Sequence, residues 1–373
     1  MLKIAIIGAG TLARVYAVRA RELHIESFIF AWKKDAIAKD YADHFYDISI
    51  FEKEKIAAIC KEQNICGVLA TTEKTIAITS YVAGCLNLNG LAQNIAAKIT
   101  NKFWVRERAS KLKVLRQPEY RHLQKNESVD IATFPVIVKP ASAGGKRGIA
   151  VIRDAQGLVA GLTYAGEASN EDGLILEQFL AGGCEYSVES LSFHGRHFIV
   201  QVTQKDSSGA PHCVELGHHQ PADISAAMRK KVAVAISELL DAVGVNYGPC
   251  HTEIKIIDGE VYLIELNARP GGDRITYPLT ELSTGYKYIS GIIFSAMDIL
   301  YNPDIYSGEP RYAGIYFITK QTASMKPIFD ECDGMPWLYE KHKVSDTLQE
   351  ISGNDDEHLN YFIYAASEKP NFG

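Results

Sequence analysis

The stretch LIELNARPGG, residues 263–272, sets a carboxylate, an amide and a guanidinium at every second position, Glu265, Asn267 and Arg269, where an apolar strand ends. Side chains two residues apart on a strand share a face, so the three converge. Upstream, TEIKIIDGEVYLIELN reads as a β-hairpin turning at Asp258-Gly259. A two-residue loop would put Glu253 and Glu265 on opposite faces. A three-residue loop with Gly259 in the left-handed region groups His251, Glu253 and Lys255 with Leu263, Glu265 and Asn267. It leaves Thr252, Ile254, Ile256, Tyr262, Ile264 and Leu266 as an almost wholly apolar face. A one-residue slip would break this grouping, so the pattern favours the longer loop. It predicts Glu253 and Glu265 as diagonal neighbours, roughly 7–8 Å apart. Two carboxylates converging there repel, and a divalent cation relieves the repulsion. Oxygen ligands from Glu253, Glu265 and Asn267 suit Mg²⁺, which takes a few protein oxygens and completes its shell with substrate phosphates. Arg269 would reach the same phosphates with its planar fork. The competing reading is an exposed polar strand face.

A second cluster is FPVIVKPASAGGKRGIAVI. Lys139 ends an apolar strand, and Gly144, Gly145, Lys146, Arg147 and Gly148 follow. Glycines let backbone N–H groups approach phosphate oxygens, and the cations offset their charge. A hairpin tip with solvated charges fits the same letters. About thirty residues on, in LILEQFLAGGCEYSVE, Glu177 ends a strand and Glu185 starts another. A carboxylate accepting from two hydroxyls makes a ribose clamp, and backbone groups of Gln178 and Leu180 would read an adenine edge. Solvent-facing acids at strand ends are the alternative. Near the N-terminus, Gly8, Gly10 and Ala13 match GxGxxG/A between a strand and a helix. This is either a dinucleotide-phosphate turn or a turn that packs helix on strand. Lys33 and Lys34 stand where an acidic residue would hold a ribose hydroxyl. That leaves open an NADP-dependent oxidoreductase on the first hundred residues.

The elements that carry these groups change character along the chain. Residues 1–100 alternate strands and helices, LKIAII, SFIFAW and NICGVLAT being the strands, and this predicts a parallel α/β sheet. Beyond it, NKFWVRERASKLK reads as a helix, followed by short strands with glycine-bearing connections that suggest antiparallel pairing. SAAMRKKVAVAISELLDAVGV carries apolar residues near helical spacing. With 373 residues, several domains are expected. A net charge of −6 offers no general argument for nucleic-acid or membrane binding. No apolar stretch approaches a membrane span. The seven cysteines, Cys60, Cys66, Cys85, Cys184, Cys213, Cys250 and Cys332, form no CxxC pair. They fit free thiols in a reducing compartment, so the sequence reads as cytoplasmic.

In this order, the motifs VIVKPASAGGKRG, LILEQFL, EYSVE, TEIK and ELNARPGGDRI resemble the ATP-grasp superfamily, over essentially the whole chain. The resemblance implies a mixed α/β and α+β architecture: a Rossmann-like pre-ATP-grasp domain over 1–100, a small lobe over 101–183 and a large lobe over 184–373. It implies ATP, with Mg²⁺ or Mn²⁺. Lys102 and Lys139 would contact ATP phosphates and adenine, and the loop 141–148, with Ser142, Gly144, Gly145 and Gly148, would cover the phosphates. Glu177, Gln178 and Leu180 would line the adenine and Glu185 the ribose. Glu253, Glu265 and Asn267 would hold the metal, and Arg269 would face the transferred phosphoryl group. Arg274 would grip a substrate carboxylate; His218 and His219 would line an acceptor pocket or lie on a surface loop. ELNARPGGDRI most resembles the dipeptide-forming amino acid ligases. The implied reaction joins a carboxylate, such as an amino acid, to an amine through an acylphosphate, releasing ADP and phosphate. A carboxylase-like or purine-pathway reaction on bicarbonate or formate is the alternative. The resemblance also implies a homodimer.

Overall fold

The structure, a computed structural model, describes residues 1–372 except 126, 143, 146, 171, 210–213 and 351–357. Lys146 of the glycine-rich loop and Cys213 therefore lie outside the described residues.

The first sheet holds β1 (Lys3–Ile7), β2 (Glu26–Ala31), β3 (His44–Asp47) and β4 (Gly67–Ala70), all parallel in the order β3-β2-β1-β4. Its apolar runs are buried on both faces by helices, as parallel sheets require. The GAGTLA turn has a packing reason. Gly8 has φ +105, and a Cβ there would lie 2.3 Å from Thr71 Oγ1, which donates to the Ile7 carbonyl. The helix Glu73–Cys85 starts directly after β4. Thr75 Oγ1 accepts from the N–H groups of Thr71 and Thr72, fixing that corner and the exit of Glu73 from it.

After β5 (Leu115–Arg116), a smaller antiparallel sheet is built from β6 (Tyr120–Leu123), β7 (Val136–Pro140), β8 (Ala150–Ile152) and β9 (Leu174–Gln178), in the order β6-β9-β7-β8. The remaining strands are β10 (Cys184–Phe193), β11 (Arg196–Ser207), β12 (Glu215–Gln220), β13 (Gly248–Ile257), β14 (Glu260–Asn267), β15 (Tyr312–Ile318), β16 (Leu338–His342) and β17 (Asn360–Ala366). With β5 they form a nine-stranded sheet, β16-β17-β15-β12-β11-β10-β13-β14-β5, antiparallel except for β14–β5.

One face of the large sheet is apolar. It packs on the helix Ala226–Val243, whose Val232, Ala235, Ile236, Leu239, Leu240 and Val243 are buried with Tyr186, Val188, Val202, Ile254, Leu263 and Leu266. Each large aliphatic buried this way contributes about 1.5–3 kcal/mol. Ser225 caps the helix by accepting from the Met228 N–H at 3.2 Å, and Gly244 ends it at φ +87. The opposite face carries the polar partners of the same strands. Among the described residues, no helix is long and apolar enough to cross a membrane, and Cys60, Cys66, Cys85, Cys184, Cys250 and Cys332 are unpaired.

Candidate active site

The hairpin β13–β14 corrects the expected loop. Asp258 and Gly259 form a two-residue turn, at φ 49 and 77, with Ile257 paired to Glu260. This is the turn that DG favours in tight hairpins. A bulge at the Glu253/Ile254 step then shifts the register by one, so that Glu253 faces Glu265 and His251 faces Asn267. The two carboxylates are directly opposite rather than diagonal. Leu263 pairs with Ile254 in the core, and Tyr262, not Leu263, stands beside Lys255. A bulge re-aims side chains where a plain ladder would separate them.

Each of the two carboxylates holds an ammonium. Glu265 Oε1 is 2.9 Å from Lys102 Nζ. Glu253 Oε1 accepts from Lys205 Nζ at 2.9 Å, and the same ammonium is 3.0 Å from Glu215 Oε1. Burial works against the Lys205 charge, but Glu253 and Glu215 outweigh it and raise its pKa. His251 lies between Glu189 and Glu253, its Nε2 3.4 Å from Glu253 Oε1. Burial lowers the His251 pKa, yet the two carboxylates lift it to about 9. Cations thus gather around Glu253 and Glu265 from both sides. This donor set fits a hard divalent ion: two facing carboxylates with the buried amide of Asn267 beside them. Among the described residues no cluster of three or more His, Cys, Asp or Glu side chains is arranged to hold a metal alone. A site of two carboxylates would rely on non-protein oxygens for the rest of the shell.

One helix links this hairpin to the small sheet. Asn101 caps Lys102–Ala109 by accepting from the Trp104 N–H at 3.0 Å. Lys102 and Arg106, one turn apart, share a face. Lys102 reaches Glu265, and its N–H donates to Ala141 at the start of the 141–148 loop. Arg106 donates to Glu177 at 2.7 Å and to the Ile264 carbonyl, next to Glu265, at 2.9 Å. Lys139 Nζ donates to the other Glu177 oxygen at 2.6 Å. Burial would raise the Glu177 pKa; the Arg106 and Lys139 cations override it and lower it to about 2. Glu177 is 2% exposed, with both carboxylate oxygens engaged by Arg106 and Lys139, which it anchors.

The other sequence-derived residues have surroundings of their own. Glu185, opposite Lys255, is half-buried; Lys255 Nζ lies 3.7 Å from its carboxylate and donates to the Leu180 carbonyl at 2.9 Å. The Gln178 N–H donates to the Glu119 carbonyl. Gly145 and Gly148 have φ +70; a Cβ on Gly148 would meet Ala168 Cβ at 2.6 Å, whereas Gly145 faces open space. Ser142 Oγ is buried with no hydrogen-bond partner among the described residues, a group that a ligand oxygen would satisfy. Arg269 donates to Glu73 at 2.9 Å, and a Cβ on Gly144 would lie 1.8 Å from the same carboxylate. Arg274, at φ 66, donates to Tyr361 Oη at 2.7 Å and lies over that ring; Tyr361 donates to Glu340. His218 and His219 sit on β12, paired with β11 and β15, and not on a surface loop.

Sequence reasoning missed Glu73, Arg106, Glu189, Lys205 and Glu215. Two of these, Glu189 and Lys205, could have been found by period-two reading. Glu185, Ser187 and Glu189 on β10, and Gln201, Thr203 and Lys205 on β11, alternate with residues of the apolar face. The register sets Ser187 between Thr203 and Glu253 and Lys205 opposite Glu185, and the Lys205 ammonium reaches across to Glu253.

Residues 132–277 match the ATP-grasp domain family. The formate-dependent phosphoribosylglycinamide formyltransferase of Hydrogenovibrio crunogenus is 24% identical over 362 residues, covering 88% of this chain and 87% of that protein. The structure of an L-amino acid ligase from Bacillus licheniformis superposes with a TM-score of 0.79 at 19% identity, over 99% of this chain and 94% of that one. N5-carboxyaminoimidazole synthetase from Staphylococcus aureus, solved with ADP, gives 0.76 at 14% identity, over 98% and 94%. A parallel N-terminal sheet, a small antiparallel sheet and a large sheet with facing acids accompany that match: residues 132–277 form an ATP-grasp domain.

Proposed function

We propose that this protein is an ATP-dependent, ADP-forming ligase that activates a small carboxylate as an acylphosphate and joins it to an amine. The observation that carries the reading is the facing pair Glu253 and Glu265, each within 2.9 Å of a lysine ammonium and tied through Arg106 to Lys139. The proposal includes the division into residues 1–100, 101–183 and 184–373, with ATP held between the second and third.

In this reading the substrate carboxylate oxygen attacks the γ-phosphorus of ATP and ADP leaves. The amine nitrogen then attacks the acyl carbon, loses a proton, and phosphate departs. Glu253, Glu265 and Asn267 would hold Mg²⁺ or Mn²⁺, which supplies charge neutralisation to the phosphates. Lys102 and Lys205 are already drawn to these carboxylates, so cationic compensation is built in. Lys139 and Arg269 present fixed positive charge toward the phosphoryl group, and such preorganised donors are each worth roughly 3–4 kcal/mol in a transition state. The loop 141–148 covers the phosphates, Gln178 and Leu180 border the adenine, and Glu185, steadied by Lys255, takes the ribose hydroxyls. Arg274, braced on Tyr361, grips a substrate carboxylate.

Two substrate sets fit this chemistry. The LNARPGGDRI segment and the likeness to an L-amino acid ligase favour a pair of amino acids. The formate-dependent relatives in sequence favour formate with a phosphorylated amine. Both pass through an acylphosphate, and both suit a cytoplasmic enzyme, here taken as a homodimer. Phosphate release screened over amino acid pairs, and over formate with phosphoribosylglycinamide, separates them. Release with neither set would set both aside.

A further inference from the structure

Beneath the facing carboxylates lies a buried pair with no direct place in that chemistry. Glu189 is wholly buried on β10, directly across from His251 on β13. Its carboxylate bonds His251 Nδ1, accepts the Gly271 N–H at 3.1 Å and accepts the Thr276 hydroxyl at 2.9 Å. The other ring nitrogen of His251 is 3.4 Å from Glu253 Oε1. Gly271 rests on this pair so closely that a Cβ there would lie 2.6 Å from His251 Nδ1 and 2.9 Å from Glu189 Oε1. A continuous line therefore runs from Glu253 through His251 and Glu189 to the backbone that follows Arg269.

We infer that His251 and Glu189 form a positioning strut, which fixes the Glu253 carboxylate against the turn carrying Arg269. The inference rests on the reading of Glu253 as a metal-binding carboxylate. Replacing a buried ionic pair with apolar residues is often neutral or favourable for stability, so stability alone does not explain it. What the pair supplies is geometry. Groups behind metal-binding side chains orient them, and losing one typically weakens metal affinity 10- to 100-fold. Here the same group also sets the turn beyond Arg269, so metal and phosphoryl-facing groups share one support.

The test is titration of the full-length protein with ADP alone and with ADP plus Mn²⁺, in wild type, Glu189→Gln, His251→Asn and the double variant. The asparagine amide keeps the Nδ1 position toward Glu189 and falls short of Glu253. ADP alone should bind all four alike. The gain in affinity from Mn²⁺ should fall about 10-fold or more in each single variant, and no further in the double. An unchanged gain in both single variants, or a double loss equal to the product of the single losses, overturns the strut. If Glu189→Gln does not fold, His251→Asn with Thr276→Val carries the same comparison, since Thr276 bonds the same carboxylate. Wild type that gains nothing from Mn²⁺, or Glu265→Ala that keeps the full gain, removes the metal reading and the strut with it. A normal wild-type gain with unaffected strut variants removes the strut alone.

Discussion

Replacing Glu177 with glutamine withdraws the charge that Arg106 and Lys139 share between the helix Lys102–Ala109 and the small sheet. The carboxylate is 2% exposed, so solvent screens the interaction little. Its pKa falls from an ordinary 4.5 to about 2 in the folded protein. That depression corresponds to about 3 kcal/mol of stability. Because the folded value is depressed, the contribution is complete above pH 4.5 and is lost as pH falls toward 2. Removing one partner from a buried ion cluster costs a similar 3–5 kcal/mol. Urea unfolding, followed by tryptophan fluorescence, should therefore show Glu177→Gln about 3 kcal/mol less stable than wild type at pH 7. The same gap should persist at pH 5, narrow below 4.5 and nearly close at pH 2. A gap under 1 kcal/mol at pH 7, or one that does not change with acid, refutes the network as described.

Glu265→Ala should lower ATP turnover by at least 100-fold, comparable with the loss of one charge-stabilising donor, with little change in circular dichroism. Retained activity would remove Glu265 from the site. Glu73→Gln breaks a partly exposed ion pair with Arg269, so thermal denaturation should register under 1 kcal/mol while kcat/KM falls at least 10-fold; the reverse pattern would make Glu73 a purely structural residue. Gly148→Ala should destabilise more than Gly145→Ala, because both have φ +70 but only Gly148 meets a neighbouring side chain at 2.6 Å; equal thermal midpoints would contradict this. Lys205→Met leaves Glu253 and Glu215 without their shared ammonium and should cost about 3–5 kcal/mol in urea unfolding.

Much of the architecture was legible because periodicity carries it. The parallel N-terminal strands, the helix Ala226–Val243 and the antiparallel β10–β11 pair all follow from apolar spacing. The Glu253–Glu265 grouping was also legible, but for a different geometric reason. The sequence pattern required a one-residue offset, and a loop or a bulge can each supply it; the bulge at Glu253/Ile254 lies inside an unbroken apolar-polar alternation that gives no letter for it. Glu73 was invisible because nothing local in ATTEK distinguishes a helix-starting acid from one that reaches Arg269, 196 residues away. Glu177 was readable as an important acid. Its partner Arg106, on a helix whose buried face includes a cation, was not, because the pairing exists only once the helix Lys102–Ala109 packs on β9.

The most direct test of the central claim is phosphorus NMR of the products formed from ATP, Mg²⁺ and the substrate pair that releases phosphate. ADP and inorganic phosphate in equal amounts, formed by wild type and absent with Glu265→Ala, are what the facing carboxylates and an acylphosphate route predict. AMP with pyrophosphate, or equal turnover by the variant, would contradict it.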